Sequence, residues 1–169
     1  MQKFLCGCLI LCTMLIGAAA RAQAPAAVPE KMPFDVAYGM PITLERAKQV
    51  AAAAEAEAKR RDWKFVISIV DTHGDPVYFL KMDGAQTGSV TVAPGKARTA
   101  ARYRRPTQIF FNAMESGHPY VATLDPTVVA SPGGNPIIEG GRIIGAIGVS
   151  GGTGDQDNVV SLAGAAAVK

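Results

Sequence analysis

The run PIIEGGRIIGAIGVS at residues 136–150 consists of two β-branched stretches, Pro136 to Glu139 and Arg142 to Ser150, on either side of Gly140-Gly141. Both central residues of a two-residue hairpin turn need positive φ, which glycine adopts without steric cost, so the dipeptide predicts a tight antiparallel hairpin. A second hairpin with a longer loop is predicted upstream. Phe65 to Val70 is β-branched and aromatic with only Ser68 polar, Asp71-Thr72-His73-Gly74-Asp75-Pro76 is rich in turn formers, and Val77 to Leu80 returns. The near-continuous apolarity of Phe65 to Val70 implies that both faces of that strand are covered.

Outside the hairpins the apolar period lengthens to that of a helix. Thr43 can cap a helix whose apolar positions are Leu44, Ala47, Val50, Ala51, Ala54 and Ala58. Ser89 to Tyr103 is helical in pattern, although Pro94-Gly95 should delay or kink its start, since proline suits only a first turn. Pro106 breaks that helix, Thr107 to Met114 forms a short one ended by Gly117, and His118-Pro119-Tyr120 opens a loop. Val128 to Ala130 is expected as a short strand. After Gly151-Gly152-Thr153-Gly154, Asp155 and Asp157 suit a helix N-terminus, with Val159, Leu162, Ala163 and Ala166 as the buried stripe. Strands joined mainly by hairpins give an α/β chain of the α+β kind, an antiparallel sheet of about five strands covered by helices.

The N-terminus stands apart from this domain. Met1 to Lys3 is a short positive segment, Phe4 to Ala20 is an apolar run, and Ala20-Arg21-Ala22 fits the small-x-small cleavage rule, so residues 1–22 are expected to be a signal peptide and the protein periplasmic or secreted. An uncleaved anchor is the competing reading, but it would not need the cleavage site. Residues 23–40, with Pro25, Pro29 and Pro33 among alanines, suit an extended mobile arm, and order is expected from about Pro41 in a domain spanning 41–169. Cleavage removes Cys6, Cys8 and Cys12, the only cysteines, and with them any disulfide, thiolate metal site or cysteine nucleophile. It also removes Lys3 and Arg21, so the formal charge of +3 falls to about +1 and nucleic acid is not an implied partner.

Six short stretches in order resemble the GlcG/HbpS family, which also includes the C-terminal domain of PduO-type proteins. They are Ile69-Val70-Asp71 with Gly74, Met82-Asp83-Gly84-Ala85, Lys96-Ala97 with Thr99-Ala100, Arg105-Pro106-Thr107, Gly133-Gly134 with Pro136-Ile137, and Gly145 to Gly151 with Asp155 or Asp157. The resemblance covers Leu44 to the C-terminus. It implies a profilin-like fold, homo-oligomeric assembly, and binding of haem or, alternatively, a corrinoid, with haem degradation in some members. Pro94-Gly95 departs from the family pattern, which bears on any geometry around Lys96.

A haem site needs an axial donor, an apolar slot and cations for the propionates. His118 and His73 are the only imidazoles, both in predicted loops, with Met82, Met114, Tyr103 and Tyr120 as other donors. His118, between Gly117 and Pro119 and near Phe110, Phe111 and Tyr120, is the preferred iron ligand. Lys96, Arg98, Arg102, Arg104 and Arg105 place five cations in ten residues, and Arg98, Arg102 and Arg105 at i, i+4, i+7 can form one carboxylate-holding stripe. A solvated face or an intersubunit salt-bridge row is the plainer reading of that stripe. Gly133-Gly134 is a turn or a place where a ligand approaches the backbone. Asp83, with Asp71, is a candidate acid or base. The candidate site is therefore His118, Arg102, Arg105, Lys96, Asp83, Gly133 and Gly134.

Gly148 to Gly154 before a helix can form an anion nest, but it lacks the Lys-Ser or Lys-Thr of a P-loop. Ser150, with Gly148 and Gly152 two residues either side, has nucleophile-elbow spacing, but no histidine follows it. Three functions remain open: a haem or tetrapyrrole-binding protein for sequestration, sensing or delivery; an enzyme acting on haem or a small metabolite through Asp83, Lys96 and the glycine loops; and a ligand-free oligomeric accessory protein. Binding is favoured over catalysis.

Overall fold

The computed structural model describes residues 28–168; the expected signal peptide and the first residues of the arm lie outside them. Helix α1 (Leu44–Arg60) starts where Thr43 Oγ1 accepts the Arg46 N–H at 3.3 Å. Strands β1 (Val66–Asp71) and β2 (Pro76–Lys81) form the longer hairpin, then come α2 (Ser89–Tyr103), α3 (Gln108–Glu115) and a 3-10 turn (Pro119–Thr123). Strands β3 (Gly134–Glu139) and β4 (Arg142–Ser150) form the tight hairpin, and α4 (Gly154–Ala165) follows. Gly140 and Gly141 have φ of +55° and +74°, the backbone that the turn demands.

The sheet is antiparallel throughout, in the order β2-β1-β4-β3. It has four strands rather than about five. Val128 to Ala130 is irregular because its hydrogen bonds go to other partners: Val129 N–H donates to Thr99 Oγ1 and Val128 N–H to the Asp125 carbonyl. Where β1 stops opposite Gly145, residues 37–42 take its place as a strap beside β4. Ile143 N–H donates to Ala37 O, and Gly39 and Ile42 N–H donate to the carbonyls of Ile143 and Ile144. Order therefore begins before Pro41, inside the segment expected to be a mobile arm.

Helices cover both faces, as the apolarity of β1 required. Ile67, Ile69, Ile147 and Val149 pack with Val50, Ala54, Ala58 and Val160 of α1 and α4. On the other face Val70 and Ala146 meet Ala97, Ala100 and Ala101 of α2. That second layer is built from small residues, so α2 lies close to the sheet; any side chain at Gly148 would collide with the Ala93 carbonyl.

Two expectations about helices need correction. Pro94 is the sixth residue of α2 and delays nothing, since the helix starts at Ser89. In α4 the buried face is Asp157, Val160, Ser161 and Gly164, whereas Val159 and Leu162 are exposed. The buried carboxylate sets the rotation of α4, by the contacts described next.

Candidate functional site

Lys96 projects from the small-residue face of α2 into the interior and is 1% exposed. Its Nζ donates to Asp157 Oδ2 at 2.5 Å and to the Val149 carbonyl at 3.2 Å. Asp157, 3% exposed, uses Oδ1 to accept the N–H groups of Gly151 and Gly152 at 3.0 and 2.9 Å. Burial pushes the Lys96 ammonium down and the Asp157 carboxyl up from their ordinary values, and their mutual attraction opposes both shifts. The glycine loop after β4 thus does form an anion nest, and the anion is the chain's own Asp157.

Gly133 and Gly134 close over the same pair. Gly133 has φ of +111°, and a Cβ there would come within 2.7 Å of Asp157 Cβ and 3.2 Å of Lys96 Nζ. A Cβ on Gly134 would strike the Lys96 carbonyl, and Thr107 Oγ1 accepts the Gly134 N–H at 2.9 Å while donating to Ser131 O. Lys96, Gly133 and Gly134 therefore meet, around a buried ion pair joining α2, β4 and α4. The close approach at these glycines is by the protein itself.

The remaining candidates sit elsewhere. Asp83 is exposed and lines a cavity of about 290 Å³ with Glu55, Lys59, Lys64 and Met82. The expected arginine stripe is broken because α2 ends at Tyr103 and Arg104 turns left-handed at φ +55°. Arg105 lies outside the helix, its guanidinium 4.1 Å from the Phe34 ring centre and its Nε donating to the Tyr103 carbonyl. Burial and the neighbouring Arg104 charge push Arg105 below its ordinary value, against the attraction of Tyr103. Arg102 points to solvent, with Nη1 3.4 Å from Asp125 Oδ2. Arg98 and Arg102 run their stems under the β1–β2 turn, where Gly74 has φ of +91°.

His118 precedes the 3-10 turn and is exposed. Its Nδ1 is 3.3 Å from Ser116 Oγ, and its ring stands edge-on to Tyr120 with centres 6.1 Å apart. Ile109, Phe111 and Met114 of α3, with Tyr120 and Leu124, are exposed apolar side chains of the same segment. Phe110 turns inward instead, against Tyr103. His73 stands 75% exposed at the mouth of a cavity of about 600 Å³ lined also by Tyr38, Gly39, Pro41, Thr72 and Arg102. Ser150 is buried and paired with Ser89 at 3.0 Å, with no imidazole partner in that bond.

Sequence reasoning missed the role of Asp157 and the whole of the strap. The first had a signal. Lys96 shares a helix face with Ala93, Ala97 and Ala100, so its burial demanded a carboxylate from elsewhere in the chain.

Residues 42–166, nearly all of the described domain, match the family described as haem degrading protein HbpS-like. The chain belongs to the HbpS-like family. An uncharacterized 15.0 kDa protein of Citrobacter freundii is 37% identical over 123 residues, covering 71% of this chain and 87% of that protein. Protein GlcG of Escherichia coli K12 is 34% identical over 109 residues, 64% of this chain and 81% of GlcG. Among solved structures, a complex of PduOC with haem superposes with a TM-score of 0.71 at 28% identity, covering 77% of this chain and 96% of PduOC. The HbpS-like fold and these relatives agree with the architecture expected from the sequence.

Proposed function

We propose that this HbpS-like protein binds haem, whose iron His118, exposed between α3 and the 3-10 turn, would hold. The observation that carries this reading is an accessible imidazole, edge-on to Tyr120, on a segment that also exposes Ile109, Phe111, Met114 and Leu124. Exposed apolar side chains beside an imidazole suit contact with a macrocycle. Ser116 Oγ engages Nδ1, which leaves Nε2 as the iron donor. Arg102, in the last turn of α2 beside Asp125, and Arg105, beyond the helix end and against Phe34, are the proposed propionate cations. The bound haem would supply a redox-active iron. The family description and the PduOC complex with haem favour this ligand over a corrinoid.

Binding is favoured over catalysis because an enzyme reading would recruit Asp83 with Lys96 and the glycine loops, whereas Asp83 lies on the exposed surface and the loops close over a buried Lys96. Lys96 in particular is sealed and committed to Asp157. The proposed setting is outside the cytoplasm, on the strength of the leader-like residues 1–22. Homo-oligomeric assembly accords with the exposure of Val159 and Leu162 on α4. No described helix is long and apolar enough to cross a membrane.

The test is an absorbance titration of the purified protein with haemin. Saturation at a defined stoichiometry, weakened severalfold by Arg102→Ala or Arg105→Ala without a change of ligand-field bands, is the expected result. A titration indistinguishable from haemin in buffer would overturn it, and steady loss of the Soret band with a reductant would move the reading to haem degradation.

A further inference from the structure

We infer that the cleft between the strap and the β1–β2 turn is a binding site for a carboxylate, held by Arg102, Thr72 and His73. This shares Arg102 with the haem reading but does not need His118, so it stands whether or not the surface around His118 takes a macrocycle. Three elements converge on the cleft: Tyr38, Gly39 and Pro41 from the strap, Thr72 and His73 from the turn, and Arg102 from the end of α2. Its volume of about 600 Å³ lies within the usual range for small-molecule sites.

The walls are fixed before any ligand arrives. Tyr38 Oη donates to the carbonyls of Ala101 and Arg102, at 2.9 and 3.1 Å, and so ties the strap to the end of α2. Asp71 Oδ1 accepts the N–H groups of His73 and Asp75 at 2.8 and 3.0 Å, which locks the turn. Gly74 rests directly on the arginine stems; a Cβ there would come within 2.9 Å of Arg98 Cγ and 3.6 Å of Arg102 Cγ. Ligand binding would therefore cost little reordering of the backbone.

The exposed chemistry is that of a donor set around one cation. Arg102 has five N–H donors, and its side-chain contact to Asp125 is a single long one of 3.4 Å from Nη1, so a face of the guanidinium remains for a bidentate partner. Across the cleft, His73 Nδ1 faces Asp71 Oδ2 at 3.7 Å, which leaves Nε2 as the nitrogen for a ligand, and Thr72 adds a hydroxyl. A planar monoanion fits this set better than a phosphate. The cleft adjoins the C-terminal, negative end of α2, which disfavours a multiply charged anion. The carboxylate has two possible sources, a small free organic acid or the propionate of a tetrapyrrole.

The two imidazoles of the chain make the test direct. Their ring signals in a carbon–proton correlation spectrum of the domain are assigned with His118→Ala, and the protein is titrated with acetate, a small monocarboxylate, then with protoporphyrin IX and its dimethyl ester. A saturable shift of the His73 ring with acetate, weakened about tenfold by Arg102→Ala and less by Arg102→Lys, supports a free acid. A His73 shift with protoporphyrin IX that the dimethyl ester does not reproduce, and that Arg102→Ala weakens, supports the propionate. The inference is overturned if no probe moves His73, or if the shift survives both Arg102→Ala and Arg102→Gln with the backbone spectrum otherwise unchanged. Arg102 serves both readings, so the histidines separate them: haemin absorbance in His118→Ala reports on the iron ligand, and the His73 ring shift reports on the cleft, so failure of one site is distinguishable from failure of the other.

Discussion

Replacing Asp157 with alanine should be among the most damaging single changes in this domain. Asp157 Oδ2 is 2.5 Å from Lys96 Nζ, and both side chains are at least 95% buried. The alanine variant leaves an ammonium in the interior with only the Val149 carbonyl at 3.2 Å. Removing one member of a buried pair costs about 3–5 kcal/mol, because the other charge loses its compensation. The freed N–H groups of Gly151 and Gly152 add little, since that loop is partly exposed and water can replace the carboxylate. Against a total stability of about 5–15 kcal/mol this is a large fraction, and it corresponds to a fall in Tm on the order of 10 °C or more. Lys96→Met should cost a similar amount by stranding the carboxylate. The double variant Lys96→Met/Asp157→Leu should cost clearly less than the sum, since no charge is then buried unpaired. Urea unfolding followed by circular dichroism measures all four proteins. A loss below about 1 kcal/mol in Asp157→Ala, or strict additivity in the double variant, would refute the claim that this pair is a sealed, mutually compensating contact.

Other outcomes follow from neighbouring contacts. Gly133→Ala should destabilise by about 1–3 kcal/mol, because alanine at φ +111° is strained and its Cβ meets Asp157; thermal melting checks this. Thr107→Val, which keeps the shape but strands the Gly134 N–H and the Ser131 carbonyl, should cost about 1–3 kcal/mol in the same assay. Tyr38→Phe should speed hydrogen exchange of the amides at Gly39, Ile42 and Ile143 while leaving β1 unchanged, because it frees only the strap. The Asp71 carboxyl is held below its usual value of 3.8: burial works to raise it, and the N–H groups of Asp75 and His73 outweigh burial. A depressed folded value means stability that is present above pH 3.8 and lost as pH falls through the lower value, so Asp71→Asn should lack that part of the acid loss seen in the wild type.

Much of the fold was legible because its signals are local. Gly140-Gly141 between β-branched runs, Thr43 before an alanine-rich amphipathic stretch, and the apolarity of Phe65 to Val70 each specify an element without reference to the rest of the chain. What was illegible depended on contacts between distant segments. Val128 to Ala130 has strand composition, but its backbone is claimed by Thr99 and Asp125. The strap lies in a proline-rich stretch that looks unstructured and becomes ordered only because β1 ends early beside β4. The arginine run has helical spacing, yet a left-handed residue at Arg104 sends Arg102 and Arg105 to different surroundings. The face of α4 was misjudged because hydrophobicity ranks Val159 and Leu162 above Asp157, whereas the buried Lys96 requires the aspartate inside.

The central claim is that an imidazole of this domain, His118, is the donor to haem iron. The most direct measurement compares the Soret and visible bands of haemin bound to the wild type, His118→Ala and His73→Ala at saturating protein. His118→Ala should shift the Soret band and weaken binding, while His73→Ala should keep the wild-type spectrum. An unchanged spectrum and affinity in His118→Ala would contradict it.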